Sequence, residues 1–163
     1  MAQDVLEDEG ELTLGDTTRS RTVKDQATGA ATTVQLPELL LGGAVLEWED
    51  DPRRPARLVD DVVRQVGGSC TLFQRLDADG SMVRVATTVV NPAGRRNIGT
   101  YIARTDADGT PNPVLATVLA GQVYTGPATV TGKPYFTAYA GVDSPTGELV
   151  GMLYVGLPID ALD

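Results

Sequence analysis

Arg84 is the residue of this sequence whose position most clearly suggests binding chemistry. It lies in the alternating run M-V-R-V-A-T-T-V, where a two-residue period places Arg84 and Thr88 on the face opposite Val85. If that face lines a pocket, the guanidinium fork can bind a carboxylate through charge-assisted hydrogen bonds; if it faces water, Arg84 is an ordinary solvated side chain. The periodicity leaves both alternatives open.

Further candidate binding groups are two loop arginines and a set of tyrosines. Arg95 and Arg96 lie in the polar stretch N-P-A-G-R-R, where the default interpretation is a pair of exposed cations. Tyrosine supplies an apolar wall with a hydroxyl group, as small-ligand pockets require, although packing in a core is its usual role. The tyrosines of the last third of the chain are Tyr124, Tyr135, Tyr139 and Tyr154.

The residue types that most enzymes need are scarce. The sequence has no histidine and a single cysteine, Cys70, which excludes most nucleophilic triads and most zinc sites. The carboxylates form no acid-base pair, since Asp60 and Asp61 are neighbours on a predicted helix surface and Asp143 lies in a turn. We therefore assign no catalytic residue, no metal ligand and no cofactor, and we interpret Cys70 as a buried, unreactive thiol in a strand.

Two short motifs resemble ligand loops but lack essential residues. D-A-D-G occurs at 77–80 and 106–109, yet neither copy has the glycine and glutamate that a calcium loop needs at its sixth and twelfth positions. G-P-A-T-V-T-G-K at 126–133 has five residues instead of four between its glycines, and a proline follows its lysine. We interpret the first motif as turns and reject the second as a phosphate-binding loop.

The elements that must position these residues follow from hydrophobic periodicity. Residues 58–66 predict an amphipathic helix that ends at Gly67-Gly68, and residues 113–121 predict a short helix behind Pro113. Two runs that start at Cys70 and are joined by D-A-D-G predict a β-hairpin, and the last third predicts three strands separated by turn sequences. Residues 21–48 are interpreted as a lead-in. The result is a single α+β domain around one antiparallel sheet.

Negative charge is concentrated at the N-terminus. The formal net charge is -9, but residues 1–16 contain six acidic and no basic residues. Such a stretch buries too little apolar surface to offset the entropy of ordering, so we predict an acidic flexible tail over residues 1–21 and one folded domain over residues 22–163. The sequence pI of about 4.4 argues against nucleic acid and anionic membrane surfaces as partners.

No segment of the sequence predicts membrane insertion or export. The longest mainly apolar run, residues 149–157, is far shorter than the roughly 18 residues of a bilayer-spanning helix. The first ten residues lack the basic and apolar regions of a secretory signal. We expect a soluble protein, cytoplasmic if the chain is complete and extracytoplasmic if it is a domain excised from a membrane receptor.

An ordered series of motifs resembles a known family. The motifs are T-L-F-Q (71–74), V-R-V-A-T-T-V (83–89), G-R-R-N-I-G-T-Y-I (94–102), A-G-Q-V-Y-T-G-P-A-T-V-T-G-K-P-Y (120–135) and G-E-L-V-G-M-L-Y-V-G-L-P (147–158). Their order and spacing over residues 22–158 resemble the single-Cache sensor domains, of the Cache 3/Cache 2 fusion type, of bacterial chemoreceptors and sensor kinases.

The resemblance implies a PAS-like single Cache domain of the α+β class. In such a fold an antiparallel sheet of about five strands carries a long N-terminal helix on one face and a ligand pocket on the other. Domains of this kind bind small metabolites, frequently organic acids or amino acids, and pass the signal through their helices to a partner or output domain.

The resemblance also implies roles for individual residues. Arg84 falls within an R-V-x-T strand motif, and Arg96 and Thr100 fall within an R-x-x-G-T motif, so either arginine can bind a carboxylate. The implied ligand-binding set, with hydroxyl donors and tyrosine walls, is Arg84, Thr88, Arg96, Thr100, Tyr124, Tyr135 and Tyr139.

Three functions are compatible with the sequence. The leading hypothesis is a sensory module that recognises a small carboxylate-bearing metabolite. The alternative is a PAS-like dimerisation or interaction module, a homodimer with no physiological small ligand. The third is a small hydrolase or isomerase that uses carboxylates, against which the missing nucleophile-base pair counts.

Overall fold

One mixed β-sheet connects nearly all parts of this chain. The structure is a computed structural model that describes residues 2–130 and 133–159. The helices within this part are α1 (Ala2–Glu9), α2 (Val59–Val66) and α3 (Pro113–Leu119). The strands are β1 (Leu12–Asp25), β2 (Ala31–Leu41), β3 (Ala44–Val45), β4 (Ser69–Arg75), β5 (Met82–Thr87), β6 (Thr100–Ile102), β7 (Tyr124–Val130), β8 (Lys133–Asp143) and β9 (Leu149–Pro158). Their order in the sheet is β3-β2-β1-β6-β5-β4-β9-β8-β7.

The predicted fold class is wrong. The described residues form nine strands instead of about five, and the N-terminal helix α1 has only eight residues instead of being long. The lead-in region 21–48 instead belongs to an antiparallel hairpin of β1 and β2, extended by β3 through a turn at Gly42 and Gly43, whose φ values are 60° and 85°. These strands were missed because most of β1 is exposed and carries polar residues, so its sequence lacks the alternation of a half-buried strand.

The sheet is also not purely antiparallel. β1 pairs with β6 in parallel, with Lys24 opposite Thr100 and Asp25 opposite Tyr101. This short pairing joins the N-terminal hairpin to the central strands, and it brings the β1–β2 turn next to β5. A contact between residues about 75 positions apart leaves no local pattern in the sequence.

The first 21 residues contain a helix and most of a strand. Val5 and Leu6 of α1 are buried, and Arg57 donates to the backbone carbonyls of Glu9 and Leu41 at 3.1 and 2.8 Å. The proposed division at residue 21 falls within β1. Mobility of residues 1–21 in solution stays a prediction, which amide hydrogen exchange would test: fast exchange throughout would support a tail, and protection would place these residues in the folded domain.

The elements predicted from the centre and end of the chain are confirmed. α2 ends before Gly67, α3 begins at Pro113, β4 and β5 form the hairpin, and the last three strands are β7, β8 and β9. Asp77 forms the predicted turn, since its Oδ1 accepts hydrogen bonds from the backbone amides of Gly80 and Ser81 at 3.0 and 3.1 Å. Cys70 is buried, and burial raises the pKa of its thiol to about 12.

Apolar clusters lie on both faces of the sheet. The consecutive residues Leu72 and Phe73 of β4 belong to different clusters, as strand alternation requires. The first cluster packs under α1, α2 and the N-terminal hairpin, and the second packs under α3 through Leu115 and Val118. No helix in the described part of the chain combines the length and apolar character needed to cross a membrane.

Candidate ligand-binding site

Arg84 extends from β5 on the face of the sheet that α3 covers. It lies opposite Phe73 of β4, and its guanidinium carbon is 5.0 Å from the centroid of the Phe73 ring, a cation-π distance. The side chain is half-buried, and this burial lowers the pKa of the guanidinium. It remains a cation, because an arginine does not deprotonate in proteins.

The guanidinium of Arg84 joins three parts of the fold. Its Nη1 donates to Thr100 Oγ1 on β6 at 3.0 Å, and its Nη2 donates to Gln26 Oε1 in the β1–β2 turn at 2.7 Å. Both partners are uncharged. Within the described residues, no carboxylate forms an ion pair with Arg84, whereas seven other arginines of the chain do: Arg19, Arg53, Arg54, Arg57, Arg64, Arg95 and Arg96.

A row of three tyrosines lies beside Arg84. Tyr124, Tyr139 and Tyr154 are directly paired across β7, β8 and β9, with ring centroids 6.1 and 5.0 Å apart. The Tyr139 ring is also 6.4 Å from that of Phe73. Burial raises the pKa of the Tyr139 hydroxyl to about 12, the neighbouring Tyr154 adds to the increase, and the Arg84 charge opposes it. The row therefore presents neutral, hydroxyl-bearing rings next to a cation.

Tyr135 extends this aromatic surface beyond the row of three tyrosines. Tyr135 is half-buried and shares a strand face with Tyr139, four residues further along β8. Tyr154 is buried, and its hydroxyl lies 3.1 Å from Ser69 Oγ. Its pKa is raised by burial, and the hydrogen bond to Ser69 lowers it in part.

Arg96 lies elsewhere, and its donors are already used within the chain. It is 6% exposed and bonds both carboxylate oxygens of Asp60 in α2, at 3.0 and 3.2 Å. It also donates to the carbonyls of Thr87 and Arg54, at 2.9 and 2.8 Å. Arg96 therefore fastens the loop after β5 to α2, on the opposite side of the sheet from Phe73.

Thr88 also lies apart from Arg84. Its Oγ1 accepts from the backbone amide of Cys70 at 3.0 Å. β5 contains a bulge, because Arg84 lies opposite Phe73 while Ala86 lies opposite its neighbour Leu72. The extra residue breaks the two-residue alternation on which the shared face of Arg84 and Thr88 was predicted. The structure brings together Arg84, Thr100, Tyr124 and Tyr139, whereas Tyr135 lies four residues before Tyr139 on β8.

Sequence reasoning missed Gln26, Phe73 and Ser69 as parts of this surface. Phe73 lies in a predicted strand, so the pairing of β4 with β5 could have indicated that it lies beside Arg84, whereas Ser69 precedes the predicted start of that strand at Cys70. Gln26 gave no signal, since only the parallel pairing of β1 with β6 places it there.

The comparison with known families agrees with a sensory role. Residues 1–163, the whole chain, match the Cache 3/Cache 2 fusion domain, and the chain belongs to this family. Cache domains are sensory modules that bind small molecules, and they are not catalytic. No curated protein matches this chain.

Proposed function

We propose that this Cache domain senses a small carboxylate-bearing metabolite that binds at Arg84. The observation that carries the proposal is a half-buried guanidinium that has no acidic partner among the described residues and lies against aromatic rings. A buried cation is stable when it is paired, and an anionic ligand would provide that pairing.

The contacts of Arg84 leave hydrogen-bond donors for such a ligand. A guanidinium has five N–H donors, and the hydrogen bonds to Gln26 and to the hydroxyl and carbonyl oxygens of Thr100 use three of them. The remaining donors can form a forked pair with a carboxylate, and Tyr139 and Phe73 would pack against the apolar part of the ligand.

Arg84 is also well placed to pass on the effect of binding. It connects β5, β6 and the β1–β2 turn through Thr100 and Gln26. The segment from β5 to β6 is in turn fastened to α2 by Arg96 and Asp60. A ligand that draws the guanidinium toward the tyrosines would change the first set of contacts, and the second would carry the change to a helix and from there to a partner or output domain.

Isothermal titration calorimetry with acetate, lactate, succinate, citrate and the common amino acids would test the proposal. We expect at least one carboxylate to bind saturably, and we expect Arg84→Gln to weaken it by at least tenfold, the loss of about 1.4 kcal/mol. Arg64→Gln is the matched control, because it removes the same charge from an exposed position on α2. Absence of saturable binding, or equal affinity in Arg84→Gln, would overturn the proposal.

Cache domains are typically extracytoplasmic, and we propose that compartment for this one. Fractionation of cells that express the protein from its own gene would test it, and recovery with the cytoplasmic fraction would contradict it.

A further inference from the structure

A cleft of about 830 Å³ lies between the β1–β2 turn and the loop that leads from β5 to β6. Its volume is typical of small-ligand sites. Arg84 does not line it, but Gln26 and Thr100, the two side chains that Arg84 bonds, do. The cleft is therefore adjacent to the Arg84 site and distinct from it.

The hydrogen bonds of Arg84 fix which polar atoms of Gln26 and Thr100 remain free to bind a ligand. Because a guanidinium only donates hydrogen bonds, the Gln26 atom facing it must be the carbonyl oxygen, which leaves the Nε2 group with two donors. The Thr100 hydroxyl oxygen likewise accepts from Arg84, so its own hydrogen can be donated elsewhere. Both residues line the cleft, and both keep hydrogen-bond donors that Arg84 does not use.

Asn91, which lies on the opposite wall, also has its side-chain oxygen bonded within the protein. Its Oδ1 accepts from the backbone amides of Ala93 and Arg95 at 3.0 and 3.1 Å. The amide nitrogen Nδ2 keeps two donors, and Asn91 lines the cleft. Three side chains that could each accept or donate have thus had their oxygens engaged by the protein itself.

The charged side chains of the cleft are Lys24 and Asp25. Lys24 is exposed and forms no ion pair with any residue in the described part of the chain. Asp25 is drawn to its own turn, where its Oδ1 accepts from the amides of Ala27 and Thr28 at 2.8 and 3.3 Å. The cleft therefore contains one ammonium group, several neutral hydrogen-bond donors and one carboxylate, which already accepts hydrogen bonds from the backbone.

We propose that this cleft is a second binding site, for a small oxyanion with the chemistry of a carboxylate or a phosphate group. Lys24 provides the opposite charge, and Gln26, Asn91 and Thr100 provide hydrogen-bond donors. Charge-assisted hydrogen bonds from such a set are the interactions that hold oxyanions in proteins.

Calorimetric titration of the full chain at low ionic strength, with inorganic phosphate in one series and acetate in another, tests the site and separates the two sources of oxyanion. Asn91→Asp is the sharpest variant, since it keeps the Oδ1 acceptor and the shape of the side chain while replacing the two donors with a second acceptor. Asn112→Asp is its matched control, because Asn112 caps α3 through its own Oδ1 and makes the same change of charge away from the cleft.

We expect one of the two anions to bind saturably, with affinity reduced about tenfold or more by Asn91→Asp and by Lys24→Gln. The controls Asn112→Asp and Arg64→Gln are expected to bind as the unmodified chain does. Absence of saturable binding by both anions, or unchanged affinity in both Lys24→Gln and a folded Asn91→Asp, would overturn the proposal. Circular dichroism melting curves establish folding of each variant.

The same titrations distinguish this site from the one at Arg84. A carboxylate whose affinity is reduced by Arg84→Gln, but not by Asn91→Asp or Lys24→Gln, supports the Arg84 site and counts against the cleft. An anion whose affinity is reduced by Asn91→Asp and by Lys24→Gln supports the cleft, whether or not Arg84→Gln also reduces it, because Arg84 orients Gln26 and Thr100.

Discussion

At the scale of single residues, the surroundings of an arginine decide what it can do. Arg84 and Arg96 are twelve positions apart, and both are withdrawn from water. Arg96 meets the carboxylate of Asp60 and backbone carbonyls, so its hydrogen-bonding capacity is used for stability. Arg84 meets only neutral groups and aromatic rings in the described residues, so its charge has no counter-ion there.

Replacement of Arg96 by alanine is expected to destabilise the fold by about 3–5 kcal/mol, because it leaves Asp60 and several buried carbonyls without their donor. Arg95→Ala is the neighbouring control, since Arg95 and its partner Asp50 are each about half-exposed; its loss should cost roughly 0–1 kcal/mol. Urea unfolding of both variants gives the comparison. Equal stabilities would contradict a structural role for Arg96.

The buried hydroxyl of Tyr139 should make the fold less stable as the pH becomes alkaline. Its hydroxyl has a pKa of about 12 in the folded chain because it is buried, whereas an unfolded tyrosine ionises near about 10. As the pH rises from 10 to 12 the unfolded state loses this proton first, so the free energy of unfolding should fall by up to about 1.4 kcal/mol per pH unit. Urea unfolding between pH 9 and 11.5 measures the slope, and Tyr139→Phe should make it shallower. An identical slope in the variant would show that other groups cause it.

At the scale of secondary structure, the sequence predicts elements wherever their local patterns are strong. The valines of α2 recur at helical spacing, and the apolar runs of β4 and β5 are separated by the turn sequence D-A-D-G. β1 could not be recognised, because most of its residues are polar and exposed and it buries only Leu12 and Val23. Its partner β6 has only three residues, and parallel pairing between distant segments is encoded in tertiary contacts rather than in either segment.

The candidate site was predictable to the same extent. Arg84, Thr100 and Tyr139 were predicted together, as the motifs of the family implied, and the structure places them in one region. The bulge in β5 places Thr88 away from Arg84, and Arg96 forms an ion pair with the carboxylate of Asp60. Neither a bulge nor the choice of an ion-pair partner can be derived from a two-residue period.

The junction between α2 and β4 depends on two adjacent glycines with different surroundings. Both have positive φ, 86° for Gly67 and 72° for Gly68, but a Cβ atom at Gly68 would collide with the carbonyl oxygen of Gly156 on β9. A Cβ atom at Gly67 would meet no described atom within 4 Å. Gly67→Ala should therefore cost only the strain of a backbone region that is essentially confined to glycine (φ 86°, ψ −176°), about 1–3 kcal/mol, and Gly68→Ala should cost about 1–3 kcal/mol more because of the collision. Urea unfolding would decide, and equal losses would mean that β9 does not approach Gly68 in solution.

At the scale of the whole molecule, one sheet is shared by two apolar clusters. α3 closes one face and α1, α2 and the N-terminal hairpin close the other. Every element of either layer depends on strands that also support the opposite layer, so the domain should unfold as a single cooperative unit.

Leu115→Ala in α3 tests this coupling. Leu115 is fully buried, and its truncation should cost about 2–5 kcal/mol. The single tryptophan, Trp48, packs against the cluster on the other face, where the Arg21 guanidinium lies 4.3 Å from its ring centroid. Tryptophan fluorescence and far-ultraviolet circular dichroism should then shift together. A Trp48 transition that stays at the midpoint of the unmodified chain would show that the two layers unfold separately.

The two edges of the sheet affect whether copies of this protein associate at high concentration. An open sheet can grow by strand addition, which leads to unwanted aggregation between copies. On one side of the sheet β3 covers only Leu40 and Leu41, so residues 31–39 of β2 keep an outer edge without a partner strand among the described residues, interrupted by Pro37, which has no amide hydrogen to donate. On the other side β7 contains Pro127, which lacks the same donor. The edge of β2 is therefore where a second copy of the chain would add a strand in concentrated samples.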